Sequence, residues 1–498
     1  MAKKFRFLLV LSIPVALLFF SNCKKDQFST APLAFSNDTL TFDTVFTTLG
    51  STTQYFKIYN RSKNPVKIDV IQLMHLPGTQ FRINVDGIPD TSSTGILKNV
   101  QIPAKDSIYV FVEVTVNPNS LNAPFVIIDN VNFTVGSHTQ KVVLQAFGQN
   151  AYFHYAQIIK HDTQWQNDKP HVIIGRDSIP GVLVNCGATL TINPGCQIFL
   201  ANNSAIFVEG SLKAEASDWH DSIVFRGVRL ESYYDDLPGQ WFGIVFLRNG
   251  GCTPSGSFSH CVINESSYGI YAGAGLTSNL SDYSGTIGPM VTINNTIIKN
   301  SQFNAVYGFN ARITANNSLF YASGDDLIKL GLGGTYNFTQ CTMYNTGSFA
   351  ISHQQPTLLL SNFAADGNFT QYPAPLNASF TNCVIYGNLL NEISVNRATN
   401  TSYAFNDSFI NCLLQTPSDT LALFATNNHN LFNQNPLFKN PQQNDFTPSD
   451  TVNVLSPLID YAPTGLAKDI WDNGRPILLL LDSSTHPYDI GAIERQQQ

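Results

Sequence analysis

A short phrase that recurs between residues 258 and 414 sets the tightest limit on how this chain can fold. It reads Phe258-Ser-His-Cys261-Val-Ile263, Ile293-Asn-Asn-Thr296-Ile-Ile298, Asn316-Asn-Ser318-Leu-Phe320, Phe338-Thr-Gln-Cys341-Thr-Met343, Phe380-Thr-Asn-Cys383-Val-Ile385 and Phe409-Ile-Asn-Cys412-Leu-Leu414. The steps from Thr296 to Ser318 and from Ser318 to Cys341 are 22 and 23 residues, and longer steps of 35, 42 and 29 leave room for loops. A period in this range, with insertions pushed outward, specifies a solenoid. The phrase is built of β-formers bounded by Gly, Asn and Ser, and no stretch carries helical periodicity, so helix-based repeats are excluded. One short strand per phrase, paired with its counterpart ~4.8 Å away in the next coil, gives an all-β parallel β-helix.

Two columns follow from this stacking. Before each small central residue stands His260, Asn295, Asn317, Gln340, Asn382 or Asn411. At the coil spacing, each side-chain amide is expected to donate to one neighbour and accept from the other, a structural ladder. About ten residues later runs Gly269-Ile270-Tyr271, Ala305-Val306-Tyr307, Leu327-Ile328-Lys329, Ala350-Ile351-Ser352 and Glu392-Ile393-Ser394. With the central aliphatic pointing inward, alternation places Tyr271, Tyr307, Lys329, Ser352 and Ser394 outside in one file. Within that file Tyr271 and Tyr307 offer flat faces to sugar rings, with Lys329 and Asn304 as polar edges, and these four are the candidate ligand-binding residues.

The amino terminus carries Lys3, Lys4 and Arg6, an apolar run from Phe7 to Phe20 broken by Pro14, and then Ser21-Asn22-Cys23. This is the pattern of a secretion signal, too short to span a bilayer. Its end resembles a bacterial lipoprotein signal, which implies lipidation of Cys23. The Lys24-Lys25-Asp26 that follows is similar to the tag that sends Bacteroidetes lipoproteins to the outer face of the outer membrane, so the resemblance implies a lipid-anchored protein at the cell surface. Loss of residues 1–22 removes three of the 28 Lys and Arg and none of the 35 acids, leaving 25 − 35 = −10. A chain so acidic is not built to attract nucleic acid. Seven cysteines then remain, an odd number, so at least one thiol stays free. The ladder cysteines share a column with Thr296 and Ser318 and read as packing residues, while Cys186 and Cys196 are a candidate pair. No Cys/His cluster has zinc-site spacing.

Residues 31–150 read as a separate unit. Val66-Lys-Ile68-Asp-Val70, Ile108 to Val116 and Val131 to Val135 alternate strictly, as strands with one buried face do. An immunoglobulin-like β-sandwich is expected, and the run from Asp43 to Asn60 resembles sandwich modules that precede β-helices in Bacteroidetes surface proteins. Residues 23–30 are a tether and 151–180 a linker. Leu190-Thr-Ile-Asn-Pro-Gly195, Ile206 to Leu212, Ser222 to Phe225 and Gln240 to Phe246 resemble the opening coils of right-handed parallel β-helix repeat proteins. Together with the ladder they imply about ten coils over 181–432. The tail, with Ser456 to Asp460, Asp469 to Pro476 and Asp489 to Glu494, is similar to the terminal segment of bacterial surface β-helix proteins, so 433–498 is expected to cap the solenoid. Asp460, Asp469 and Arg475 read as a polar network of that segment.

Enzymes of such families include polysaccharide lyases and glycoside hydrolases. A hydrolase needs two carboxylates facing one groove, and a lyase needs a base with something to neutralise a uronate. Gly324-Asp325-Asp326-Leu-Ile-Lys329 gathers acids and a base within five residues, making Asp325, Asp326 and Lys329 the candidate catalytic group. The same residues also read as a turn followed by a strand, and His353 as a packed histidine. A glycan-binding or adhesive surface protein is therefore the favoured reading, and a lyase or hydrolase acting on an acidic glycan the alternative. No cofactor or metal is expected, except Ca2+ should the protein be a lyase, and the chain is expected to act as a monomer.

Overall fold

A computed structural model describes residues 27–495 apart from 77–79, 91–94, 177–178, 249–250, 275–287, 366–369, 418–427, 452–453 and 478–484. Cys23 lies outside the described residues. The chain divides into two compact units, 1–150 and 151–498.

In the first unit the alternating stretches form strands Val66–Leu73, Ser107–Val114 and Phe125–Val135. They belong to two five-stranded sheets. Pairing is antiparallel except where His138–Gln149 runs parallel to Thr39–Phe46. Phe56, Ile58, Val110 and Val112 of one sheet share a single buried core with Phe42, Ile68, Phe133 and Leu144 of the other. The long strands Thr39–Phe46, Ser107–Val114 and Phe125–Val135 turn mostly alternate side chains to this core, so neither sheet buries its apolar face without the other.

The second unit is a parallel β-helix-like solenoid. Its strands form an eleven-stranded sheet and a larger sheet in which two columns are joined by the long strands Asn304–Asn316 and Ile328–Thr339. The chain thus visits three faces in turn, and pairing between successive turns is parallel throughout. Period-2 alternation fills the interior with aligned stacks. On the first face Phe225, Ile263, Ile298, Phe320, Met343, Ile385 and Leu414 lie in register and are fully buried. On the third face the Phe338, Phe380 and Phe409 rings stack 5.1 and 4.9 Å apart, close to the strand spacing that sets the repeat.

The phrase's small residues pack as expected. Cys261, Cys341, Cys383 and Cys412 are buried free thiols, and each Sγ donates to a carbonyl of a neighbouring strand, at 3.2 to 3.5 Å. The pairing of Cys186 is a correction. It is bonded to Cys252, with Cα atoms 6.0 Å apart, whereas Cys196 is a buried free thiol within the core. Cys186 sits in the turn after strand Gly181–Val184, whereas Cys196 lies beyond the following strand, Thr189–Ile192, just before Gln197–Leu200 and packed into the core.

The ladder column exists, but its chemistry differs from the expected one. His260, Asn295, Asn317, Gln340, Asn382 and Asn411 all take left-handed backbone conformations, with φ between 43° and 54°. Asn tolerates that region better than most residues, which accounts for its recurrence at this turn. Amide-to-amide pairing occurs between Asn411 Nδ2 and Asn382 Oδ1, at 3.2 Å. Asn382 itself and the four members before it turn outward to the carboxy-terminal segment. Asn382 Nδ2 donates to the Thr464 carbonyl at 2.7 Å, Gln340 Oε1 accepts from the Leu466 amide, and Asn317 Nδ2 donates to the Lys468 carbonyl at 2.8 Å. Asn295 Nδ2 reaches the Asp469 and Ile470 carbonyls, both at 3.3 Å, and His260 Nε2 lies 2.9 Å from Asp472 Oδ2.

The tail therefore meets one turn of the solenoid about every two residues, running back along the flank from Asn382 to His260. A fully extended chain would advance about 6.6 Å in two residues against ~4.8 Å per coil, so the segment shortens itself through turns such as Asp469 to Asp472. Ile470, Ala492 and Ile493 bury themselves against Leu319, Tyr321 and Ala322, and Leu458, Ala462 and Ile490 against Val384 and Leu413. Inside the segment, Asp469 accepts from the amides of Trp471, Asn473 and Glu494. Arg475 donates to Asn317 Oδ1 at 3.2 Å, and Arg495 pairs with Asp460 at 3.0 Å. These carboxylates and guanidinium groups hold the segment's own shape and its seat on the column.

Candidate functional site

Strand register defines the outward file of the second face. Leu183, Phe207, Val245, Tyr271, Tyr307, Lys329, Leu359 and Ser394 lie side by side in successive turns. Ser352 is not among them. Ile351 closes a small bridge with Ser348 and packs against the tail cluster, and the face is continued by strand Leu358–Ser361. The sequence motif there had the right composition, but an inserted turn displaced it.

Around Tyr271 and Tyr307 the rings form a terrace. Their centroids are 4.8 Å apart and nearly perpendicular. Tyr268 lies 5.8 Å from Tyr271 and 5.1 Å from Phe303, Phe242 is 5.5 Å from Tyr268, and Phe309 is 6.1 Å from Tyr307. Strict alternation from Tyr271 would not bring Tyr268 onto this face. The register shifts between Gly243 and Ile244, where their partners are Tyr268 and Ile270, so Gly269 is an extra residue. Such a bulge turns both tyrosines outward, and its signal in the sequence was the isolated glycine before Ile270. Beside the terrace an apolar cleft of about 270 Å3 is lined by Pro180, Asn203, Phe207, Phe242, Val245 and Tyr271.

Lys329 stands at the edge of the rings, with Nζ 5.8 Å from the Tyr307 centroid. It bridges the two acids of its turn, 3.3 Å from Asp325 and 3.4 Å from Asp326. The three residues singled out from the sequence are thus brought together. Burial works to lower the Lys329 pKa, but the carboxylates of Asp326 and Asp325 outweigh it and raise the ammonium above its ordinary value. Burial pushes the Asp326 carboxyl up to about 6, with Lys329 pulling against the rise. Asp326 Oδ1 is buried without a hydrogen-bond partner. A lysine locked in its charged form is poorly suited to abstract a proton, and the two acids share one cation instead of facing each other across a groove.

Asn304 is a correction. It is buried, and its Nδ2 donates to the Asp326 carbonyl, so it braces the turn beneath the acids and does not edge the terrace. His353 is buried against Glu392, with Nε2 3.1 Å from Oε2, the packed arrangement expected of it. Among the described residues no group of three or more His, Cys, Asp or Glu is placed to hold a metal ion, and no helix is long and apolar enough to cross a membrane.

No protein-family model matches the chain, and no curated protein matches it in sequence. One solved structure that does match in part is a family 123 glycoside hydrolase from Clostridium perfringens, studied for glycolipid glycan hydrolysis. It is 5% identical with a TM-score of 0.16, over 25% of this chain and 30% of that one. This chain thus spans under a third of that enzyme's length, and an overlap so shallow supports no inference about either fold or function.

Proposed function

We propose that this protein is a glycan-binding cell-surface protein whose ligand lies across the terrace of Tyr268, Tyr271 and Tyr307, with Lys329 and Asp325 as polar edges. The observation that carries this reading is the ring cluster itself: six aromatic side chains linked by ring contacts, part-buried or exposed, beside an apolar cleft. Sugar rings combine apolar CH faces with hydroxyl edges, and aromatic side chains flanked by a few oriented polar groups match both. In this reading the solenoid is right-handed with about ten coils, the first unit is an immunoglobulin-like spacer, and Cys23 carries the lipid that holds a monomer on the outer membrane. An adhesive role follows from the same arrangement.

The alternative is a lyase or hydrolase acting on an acidic glycan through Asp325, Asp326 and Lys329. Their pairing and the raised lysine disfavour it. A glycan array probed with the 24–498 fragment tests the main reading, which expects at least one glycan class to be retained. Release of unsaturated or reducing products from pectate, alginate or chondroitin would establish the alternative. Cys23→Ala should free the protein from membranes in cell fractionation, and undiminished membrane association would contradict the tether.

A further inference from the structure

On the first face a second outward file runs Asn264, Lys299, Tyr321, Tyr344 and Tyr386, in register from turn to turn, and Arg226 follows Phe225 in the turn before. Between this file and residues 441–446 of the tail lies a cleft of about 390 Å3. Its walls differ in kind from those of the terrace cleft. Tyr321 is 7% exposed, lines the cleft, and its hydroxyl has no hydrogen-bond partner among the described residues. The ring is packed against the tail while the hydroxyl is left to the cleft that Tyr321 lines, where a ligand group can pair with it.

Opposite it stands Asp236, fixed by three donors to Oδ1: Lys299 Nζ at 2.8 Å, Asn300 Nδ2 at 2.8 Å and Asn264 Nδ2 at 3.1 Å. Burial works against its charge, but Lys299 prevails and holds the carboxyl below the ordinary aspartate value. Asp236 is therefore an acceptor held in place at the cleft wall, with its charged form favoured. The cations nearby are committed. Lys299 is held by Asp236, and Arg226 lies 3.0 Å from both Asp235 and Glu265. Two cations face three carboxylates, so an anionic ligand would meet net repulsion. Tyr344 supplies a ring on the wall, Gln442 and Asn444 bring amides from the tail, and Phe349, 82% exposed, stands at the mouth.

We propose that this cleft is a second carbohydrate site, one that takes an uncharged sugar unit with its hydroxyls on Asp236, Asn300 and Tyr321 and its apolar face toward Phe349. A carboxylate held in place, a carboxamide and a phenol beside an aromatic ring match a polyhydroxylated, neutral ring. The assignment is independent of the terrace: it uses other residues on another face, and either site can fail without the other.

Saturation-transfer NMR on the full chain, using glucose, galactose, mannose, N-acetylglucosamine and galacturonate as probes, tests it. At least one neutral sugar should give transfer and galacturonate should give less. Tyr321→Phe and Phe349→Ala should each weaken the signal about tenfold or more, with unchanged melting, whereas Tyr271→Ala with Tyr307→Ala should leave it intact. Asp236→Asn should weaken it too. Phe349→Ala guards against misfolding, because the ring is exposed and its removal leaves the buried network whole. Absence of transfer from every neutral sugar, stronger binding of galacturonate, or loss confined to the Tyr271 and Tyr307 variant would overturn the proposal.

Discussion

The two outward files have similar ingredients and different fates. On the second face Tyr271 and Tyr307 contact other rings of the same face and a lysine that is satisfied within its own turn. On the first face Tyr321 and Tyr344 lie 5.0 and 5.2 Å from Phe446 of the returning tail, and the turn column beside them is hydrogen-bonded to tail carbonyls. In a solenoid every outward file presents the same kind of surface, since alternation gives each coil the same number of outward positions. What separates the face that seats the tail from the open face is where the rest of the chain lies. The column amides found their partners in the tail, and the terrace rings found theirs in each other.

Removing the tail should break this contrast most severely. Deletion of residues 434–498 would strip partners from Asn382, Gln340, Asn317, Asn295 and His260 and expose the apolar clusters around Leu319 and Val384. At roughly 1 kcal/mol for each lost hydrogen bond, and more for the uncovered apolar surface, the loss is about 5 kcal/mol or greater. Thermal unfolding followed by circular dichroism should show a large drop in midpoint or no cooperative transition, and an unshifted curve would contradict the role assigned to the tail.

A single column position sharpens the point. Asn382→Leu loses the bond to Thr464, leaves Asn411 without its acceptor and forces a branched side chain to hold φ of 54°. The expected cost is about 2–4 kcal/mol. Asn382→Gly loses the same bonds without the backbone strain and should cost about 1 kcal/mol less. Equal midpoints for the two variants would show that the left-handed backbone is not what selects Asn here.

The smallest effect concerns the terrace edge. Asp326 has a folded pKa of about 6 against an ordinary 3.8, so between those values the folded protein binds the proton more tightly than the unfolded chain. Its charge therefore costs stability, increasingly as pH rises from about 4 and fully above about 6. After allowing for the lost attraction to Lys329, Asp326→Asn should stabilise the protein by about 1 kcal/mol near pH 7 and by almost nothing at pH 4. Chemical denaturation at the two pH values measures this, and destabilisation at pH 7 would mean that the ion pair outweighs burial.

Much of the solenoid was legible because its signal is local and repeated. Each phrase carries its own β-formers and turn residues, and stacking copies the geometry from turn to turn. The Asn column was also legible, but its cause was not. Left-handed φ and amide ladders both select Asn, and choosing between them required knowing that a segment about 80 to 210 residues later in the chain supplies the acceptors. Tyr271, Tyr307 and Lys329 were found by alternation, whereas Tyr268 was hidden by the Gly269 bulge and Ser352 was misplaced by an inserted turn. Asn304 was misjudged because a polar residue beside an aromatic file looks the same in sequence whether it braces a turn or lines a surface. Asp236 and Tyr321 gave no signal, since they meet only through pairing across turns.

The most direct test of the open face is binding by the full chain with and without its two central rings. Wild-type protein should bind at least one glycan class retained on an array, and Tyr271→Ala with Tyr307→Ala should weaken that binding by about 2 kcal/mol or more while the melting midpoint changes little. Equal binding by wild type and the double variant, with both folded, would contradict the assignment of the terrace as the working face.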